Sequence, residues 1–283
     1  MLSDAFLARL DTMRLAVRGR ARGGAGGSRR SAKLGSSAEF SDYREYIPGD
    51  DIRRLDWNAL ARFDRLFVKL FMEEQESAVT ILLDGSASMA EKWDAARKAA
   101  ETVGYLALTG GDRLKVVFLR DGEPRISPEL SGRPAYARLE QFLDLCVPEG
   151  AGSPAETVRR VDGLRKGLCF LISDCYTAEG MDGVLDWLRY CRQETGVVHV
   201  LSGFELHPEL EGALRLTDAE TGETVDVLAD RGVMQQYARA LEAFTEEVRE
   251  SCFRREVPYL LLDGGKDFEE EMIPLLVSSR MID

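Results

Sequence analysis

The stretch Ala78-Val79-Thr80-Ile81-Leu82-Leu83-Asp84-Gly85-Ser86-Ala87-Ser88-Met89 decides the fold. A run of apolar and β-branched residues without polar alternation reads as a strand covered on both faces, the situation of a parallel strand between two helical layers. The run stops at one carboxylate, and Gly85 permits a turn. Open α/β sheets collect ligands beyond the carboxyl ends of their parallel strands, so Asp84, Ser86 and Ser88 fall where a ligand is held. Oxygen-only donors of low total charge suit a hard divalent cation such as Mg²⁺ or Mn²⁺, whereas zinc favours Cys or His. Three small polar residues after a strand also serve as an ordinary turn and helix N-cap.

The pattern recurs at Leu168-Cys169-Phe170-Leu171-Ile172-Ser173, a second buried strand ending at Asp174. Between them, 91–109 reads as a helix with Trp93, Ala96, Ala100, Val103 and Ala107 on one stripe, closed by Gly110-Gly111. A strand follows at 114–119, and Asp121-Gly122 turns the chain into an antiparallel edge strand at 124–127. Further helices are predicted at 136–146, 154–166, 181–194 and 233–254, with a final one at the C-terminus. Strands are predicted around Val198 and at 257–262, and a hairpin is centred on Glu220-Thr221-Gly222-Glu223. Helices alternating with parallel strands predict an α/β doubly wound, mostly parallel sheet with one antiparallel edge strand, preceded by an N-terminal extension.

The 283 residues are 45% hydrophobic, enough for one large core. The net charge of −12 is uneven: residues 1–36 hold eight Arg or Lys against two Asp, leaving −18 on the remainder. That sets nucleic acid aside as a partner of the main body. Five scattered cysteines without a C-x-x-C pair indicate neither a zinc cage nor a disulfide framework, which fits a reducing cytoplasm. No apolar stretch reaches the roughly 20 residues of a membrane helix. Of two histidines, His199 lies in a strand-like run, where a satisfied core histidine is the expectation.

Three regions are expected. Residues 1–37 form a basic arm, with Phe6, Leu7, Leu10, Met13 and Val17 on one face of a docking helix over 1–18 and a Gly/Ser/Arg-rich tether over 19–37. The glycines at 23–27 lack the Gly-Lys-Ser/Thr ending of a phosphate loop. Residues 38–76 form a segment packed on the core, with Asp50 or Asp51 capping a short helix, a surface charge cluster of Arg53, Arg54 and Asp56, and a strand at 66–72. Residues 77–283 form the α/β domain.

The run D-x-S-x-S-M at Asp84 resembles the metal-ion-dependent adhesion motif of von Willebrand factor A domains. Those domains add a threonine after a Gly-Gly and then a second aspartate. By that resemblance Ser153, 69 residues beyond Asp84, takes the threonine's place with its hydroxyl kept, and Asp174 is the second aspartate. A wider match, Arg44 to Arg62 followed by Leu66-Phe67-Val68-Lys69, the Asp84 motif and Asp218-Ala219-Glu220-Thr221-Gly222-Glu223, resembles the bacterial domain-of-unknown-function family 58. The resemblance implies a von Willebrand factor A-like domain working beside a MoxR-type AAA+ ATPase that assembles or activates client proteins. It also implies N-terminal membrane helices in many members, from which this sequence departs.

The resulting expectation is a non-enzymatic, metal-dependent interaction module in the cytoplasm, with Asp84, Ser86, Ser88, Ser153 and Asp174 around Mg²⁺ or Mn²⁺. The alternatives are a structural scaffold with a vestigial cation site and, with less support, a metal-dependent hydrolase. An aspartyl nucleophile at Asp84 wants a second carboxylate two residues on, where Ser86 stands, and there is no G-x-S-x-G elbow. The composition change near residue 38 predicts that limited trypsin digestion cuts first at Arg20, Arg22, Arg29, Arg30 or Lys33. First cleavage within 53–65 would place the boundary elsewhere.

Overall fold

The buried runs form the middle of a seven-stranded sheet in the order β11-β8-β7-β3-β4-β5, with β6 also on β4. β3 is Ala78–Asp84, β4 Arg113–Leu119, β5 Arg125–Ile126, β6 Leu130–Ser131, β7 Gly167–Ser173, β8 Gln193–Leu201 and β11 Tyr259–Asp263. The strands β11, β8, β7, β3 and β4 are mutually parallel. The computed structural model describes residues 1–16, 39–48, 50, 52, 55–63, 65–72, 77–120, 123–150, 154–161, 163–177 and 180–282. The expected tether at 19–37, the turn at Asp121-Gly122 and Ser153 lie outside them.

Alternation along each strand supplies a core to both faces of the sheet. Val79, Ile81 and Leu83 pack with Ala96, Val103 and Leu106 of the helix Trp93–Thr109 and with Met272 and Leu276 of the helix Phe268–Ser278. On the opposite face, Leu82, Val117 and Leu171 pack with Val158, Leu185 and Val248. These come from the helices Pro154–Arg159, Met181–Tyr190 and Arg231–Arg254. The N-terminal helix Asp4–Leu10, capped by Ser3, buries Phe6 and Leu10 in the first cluster. Its Phe6 ring meets Phe268 edge-on at 6.1 Å.

Several boundaries differ from the sequence reading. The antiparallel edge is two short pieces, because Ser127 interrupts it: the Ser127 hydroxyl takes the Val116 N–H at 2.9 Å, in place of a ladder carbonyl. The helix after Met181 ends at Tyr190, where Arg192 adopts a left-handed φ of 59° and β8 begins at once. The helix expected over 154–166 stops at Arg159.

The chain divides into two compact units, Met1–Gly24 with Ser77–Asp283, and Ala25–Glu76. Within the smaller unit, β1 (Glu39–Glu45) pairs antiparallel with β2 (Phe67–Met72), and a helix spans Trp57–Phe63. That helix starts later than the sequence suggests because Asp56 is its cap. One Asp56 oxygen takes the N–H groups of Asn58 and Ala59 at 2.9 and 3.2 Å, and the other takes the Tyr43 hydroxyl. Asp56 is thus a buried anchor, while Asp51, Arg53 and Arg54, named with it in the sequence reading, lie outside the described residues. Asp50 instead pairs with Arg44 at 2.6 Å and takes the Ile47 N–H.

The closest approach in the sheet lies at Gly167, where a Cβ would sit 2.0 Å from the Ala78 carbonyl oxygen. Both atoms belong to the strand pair that carries the two aspartates, so neither moves without opening the sheet. Gly167→Ala is expected to cost about 1–3 kcal/mol, read as a lower urea midpoint. An unchanged midpoint would mean that β3 and β7 separate freely.

Candidate metal centre

The sheet order reverses at β3, with β4 on one side and β7 on the other, and this switch point opens a crevice beyond the strand ends. Leu83 pairs with Ile172, so Asp84 and Ser173 leave the sheet side by side, and Asp174 follows. Gly85 makes the turn. A Cβ there would lie 2.4 Å from the Phe118 ring and 2.8 Å from the Leu119 carbonyl oxygen. The Gly85 N–H donates to that same carbonyl at 2.7 Å, and Gly85 in turn accepts from Glu149. Ala87 N–H donates to the Gly150 carbonyl at 3.0 Å, which ties the loop ahead of residue 153 to the Asp84 turn.

Asp84, Ser86, Ser88 and Asp174 come together. Ser173 donates to Asp84 Oδ2 at 2.5 Å, and Ser86 Oγ lies 2.9 Å from Asp84 Oδ1. Ser86 Oγ and Ser88 Oγ are 3.0 Å apart, and Ser88 Oγ lies 2.7 Å from Asp174 Oδ2. Each hydroxyl carries one proton. Three hydroxyl protons therefore serve four oxygen–oxygen contacts, and one contact holds two oxygens with nothing between them. An added proton or a cation removes that deficit.

Asp84 shows the strain. It is 1% exposed, and burial first, then the Asp174 charge, push its carboxyl up to about 7 against the pull of its Ser173 and Ser86 hydrogen bonds. The chain after Asp174 turns through Cys175, a buried residue at φ 59°, and the Tyr176 N–H donates to Asp174 Oδ1 at 3.2 Å. Asp174 is thus held by a left-handed residue where a glycine would be the usual choice.

The sequence reading missed the positive charge. Lys92 is 3% exposed, with Nζ 3.0 Å from Asp174 Oδ2, 2.6 Å from Glu205 Oε1 and 5.3 Å from the Tyr176 ring centre. Its signal was available: positions 92, 96, 99 and 103 share one helix face, and a lysine on an otherwise apolar stripe needs a buried partner. The segment 87–92 winds as a 3₁₀ helix before the α-helix begins, and Ser86 makes no capping bond. Its hydroxyl is committed to the carboxylate cluster, so the N-cap reading does not hold.

Glu205 closes a capping box with Ser202, accepting the Ser202 N–H at 2.7 Å. β9 (Gly212–Thr217) and β10 (Thr224–Ala229) pair antiparallel as a hairpin, and burial first, then the Asp174 charge, raise the pKa of Glu220 at its tip. His199 lies beneath, with Nδ1 2.9 Å from the Tyr259 hydroxyl and its pKa lowered by burial to about 4. That makes it the core histidine the sequence suggests, although its Nε2 has no partner among the described residues. Among the described residues no group of three or more His, Cys, Asp or Glu side chains forms a metal cage, so the donor set rests on two carboxylates and hydroxyls.

The chain belongs to the DUF58 family, described as a protein of unknown function, whose model matches residues 42–247. It is 26% identical over 289 residues to the uncharacterized proteins Rv1480 of Mycobacterium tuberculosis and Mb1516 of Mycobacterium bovis, covering 96% of this chain and 89% of each relative. Similar solved structures include the conserved hypothetical protein BatB of Bacteroides thetaiotaomicron (13% identity, TM-score 0.42, 72% of this chain and 98% of that one). Another is the VWA domain of SpRpn10 (8% identity, TM-score 0.35, 70% of this chain and 94% of that one).

The raised Asp84 pKa has a sign. A neutral Asp84 is compatible with the fold below its ordinary value of about 3.9, and that advantage is lost as pH rises toward about 7. His199 acts oppositely, its neutral form favouring the fold above its ordinary value of about 6.5 and less so toward 4. The difference between intact and Asp84→Asn chains isolates the first effect. In chelator-treated protein, Asp84→Asn is expected to melt higher than the intact chain near pH 8, with the gap closing toward pH 5. A gap independent of pH would assign the titration to another group.

Proposed function

We propose that this chain is a non-enzymatic, metal-dependent interaction module of the cytoplasm, working as an adaptor with a MoxR-type AAA+ ATPase on client proteins. The observation that carries the reading is the proton deficit among Ser173, Asp84, Ser86, Ser88 and Asp174 at the switch point of the sheet. The donors are all oxygen, as Mg²⁺ or Mn²⁺ requires. Asp84 and Asp174 would supply charge, and Ser86 and Ser88 lone pairs. Ser153 stays in the proposal through its place in the sequence. A divalent ion bound there supplies a Lewis-acidic position for a carboxylate from another protein. Ser173 fixes one Asp84 oxygen, Lys92 fixes one Asp174 oxygen, and the Tyr176 N–H holds the other.

Among the described residues no helix is long and apolar enough to cross a membrane. The ATPase partner rests on the family resemblance. A scaffold role with a vestigial site is the second reading, and Lys92 favours it: an internal ammonium already balances Asp174 without any metal.

Thermal melting separates the two. A ligand at about 100 times its Kd stabilises the native state by about 2.7 kcal/mol. Each kcal/mol moves the midpoint of a domain somewhat smaller than this one by about 2–4 °C, so saturating Mg²⁺ is expected to raise it by roughly 5 °C or more. Asp84→Ala removes the rise, Ser153→Ala reduces it, and Asp84→Ala also weakens recovery of the ATPase from the source cells. No melting shift and no heat of binding at millimolar Mg²⁺ or Mn²⁺ would leave the scaffold reading. Equal ATPase recovery by intact and Asp84→Ala chains would remove the metal from the interface.

A further inference from the structure

A cavity opens at the other end of the sheet, beside the first residues of β3 and β4. The helix Pro154–Arg159 ends early, so the chain returns to β7 through Val161 and Arg165, which form one wall. Thr80 and Lys115 pair across β3 and β4, and both line the cavity. Alternation places Arg113, two residues before Lys115, on the same face, and Glu129 lines the cavity with it. Asp84 lies four residues beyond Thr80, with the rest of β3 between the two places.

The charge here is opposite to that of the chain. Glu129 accepts from Arg165 at 3.0 Å with one oxygen and from Arg113 at 3.4 Å with the other, which holds two guanidinium groups at the cavity. Lys115 is partly buried and has no ion pair among the described residues. Among the described lining residues, Arg113, Lys115 and Arg165 thus face Glu129 alone, in a chain of net charge −12. Thr80 is the second observation. It is 5% exposed, and its hydroxyl has no hydrogen-bond partner among the described residues. The neighbouring strand positions on this face, Leu82, Val117 and Leu171, are apolar. A buried hydroxyl without a partner costs stability, and an apolar side chain of the same shape would remove that cost.

We infer that this cavity binds a phosphate group, with Lys115, Arg113 and Arg165 supplying charge and Thr80 a hydroxyl donor. Guanidinium forks match the oxygens of phosphate or carboxylate. The balance selects between them: a phosphate monoester carries about −1.5 to −2 near neutral pH, which offsets the excess of two positive charges, whereas a carboxylate offsets half of it. Glu129 occupies the guanidinium groups in the empty cavity and competes with the incoming anion. The group comes either as the free ion or at the end of a small ester. The inference stands apart from the cation reading, since it shares no residue with the Asp84 cluster.

The test is titration calorimetry on the full chain at constant ionic strength, with inorganic phosphate, phenyl phosphate and acetate as probes. Both phosphates are expected to bind and acetate to give no measurable heat. Tighter binding of phenyl phosphate assigns an ester, and equal or weaker binding assigns the free ion. Lys115→Gln is expected to weaken phosphate binding about tenfold or more. Thr80→Val is expected to weaken it about fivefold while raising the melting midpoint of the unliganded chain, an opposition that damage to the fold would not produce. Glu129→Gln is expected to strengthen it, because the competing carboxylate is gone. Arg138→Gln, an exposed cation on a helix that packs against the opposite face of the sheet, is expected to change nothing. Absence of heat with millimolar concentrations of either phosphate, binding of acetate as tight as that of phosphate, or equal weakening by Arg138→Gln and Lys115→Gln would overturn the site.

Discussion

Two carboxylates brought to adjacent strand ends in a buried crevice are the constraint around which the larger unit is arranged. Parallel pairing of β3 with β7 sets Asp84 beside Ser173, with Asp174 one residue on, and the helical layers on both faces exclude water from them. A buried carboxylate without a counter-charge is costly, and two of them repel. The surrounding residues each answer part of that cost. Ser173 and Ser86 hydrogen-bond Asp84, Lys92 pairs with Asp174, and Gly85 lets the turn pass the Phe118 ring. None of them removes the proton deficit between Ser86 and Ser88.

Lys92 compensates the cluster only in part. Asp84, Asp174 and Glu205 stand against one ammonium. A scaffold selected for stability alone would gain by replacing Asp84 with a neutral group, since the charge there opposes folding above its raised pKa. On the proposed cation reading, that cost to stability is one that functional sites commonly carry. Lys92 then reads as the group that keeps Asp174 in place without filling the Asp84 side.

The fold was largely legible because its signals are local. Unbroken apolar runs ending in aspartate marked β3 and β7, and the period of Ala96, Ala100 and Val103 marked the helix that covers one face. Asp84, Ser86, Ser88 and Asp174 could be gathered from sequence alone because each follows a strand, and parallel strand ends lie on one edge of the sheet. The contact of Lys92 with Glu205 was not legible, since it depends on how distant segments leave the sheet. Asp56 was misread for a smaller reason: a carboxylate just before a helix is a cap wherever the helix starts, and the competing Asp50 and Asp51 lie only a few residues upstream. Helix ends moved where a residue took a left-handed conformation, as at Arg192, a choice that sequence marks only when glycine makes it.

The hairpin is attached to the charge cluster at both of its ends. Its entry follows the short helix Gly203–Leu206, which holds Glu205 against Lys92. Its exit leads into the helix Arg231–Arg254, whose Tyr237 hydroxyl donates to the Glu205 carbonyl at 2.8 Å. A change of charge at the site therefore reaches the root of the hairpin through Lys92 and Glu205.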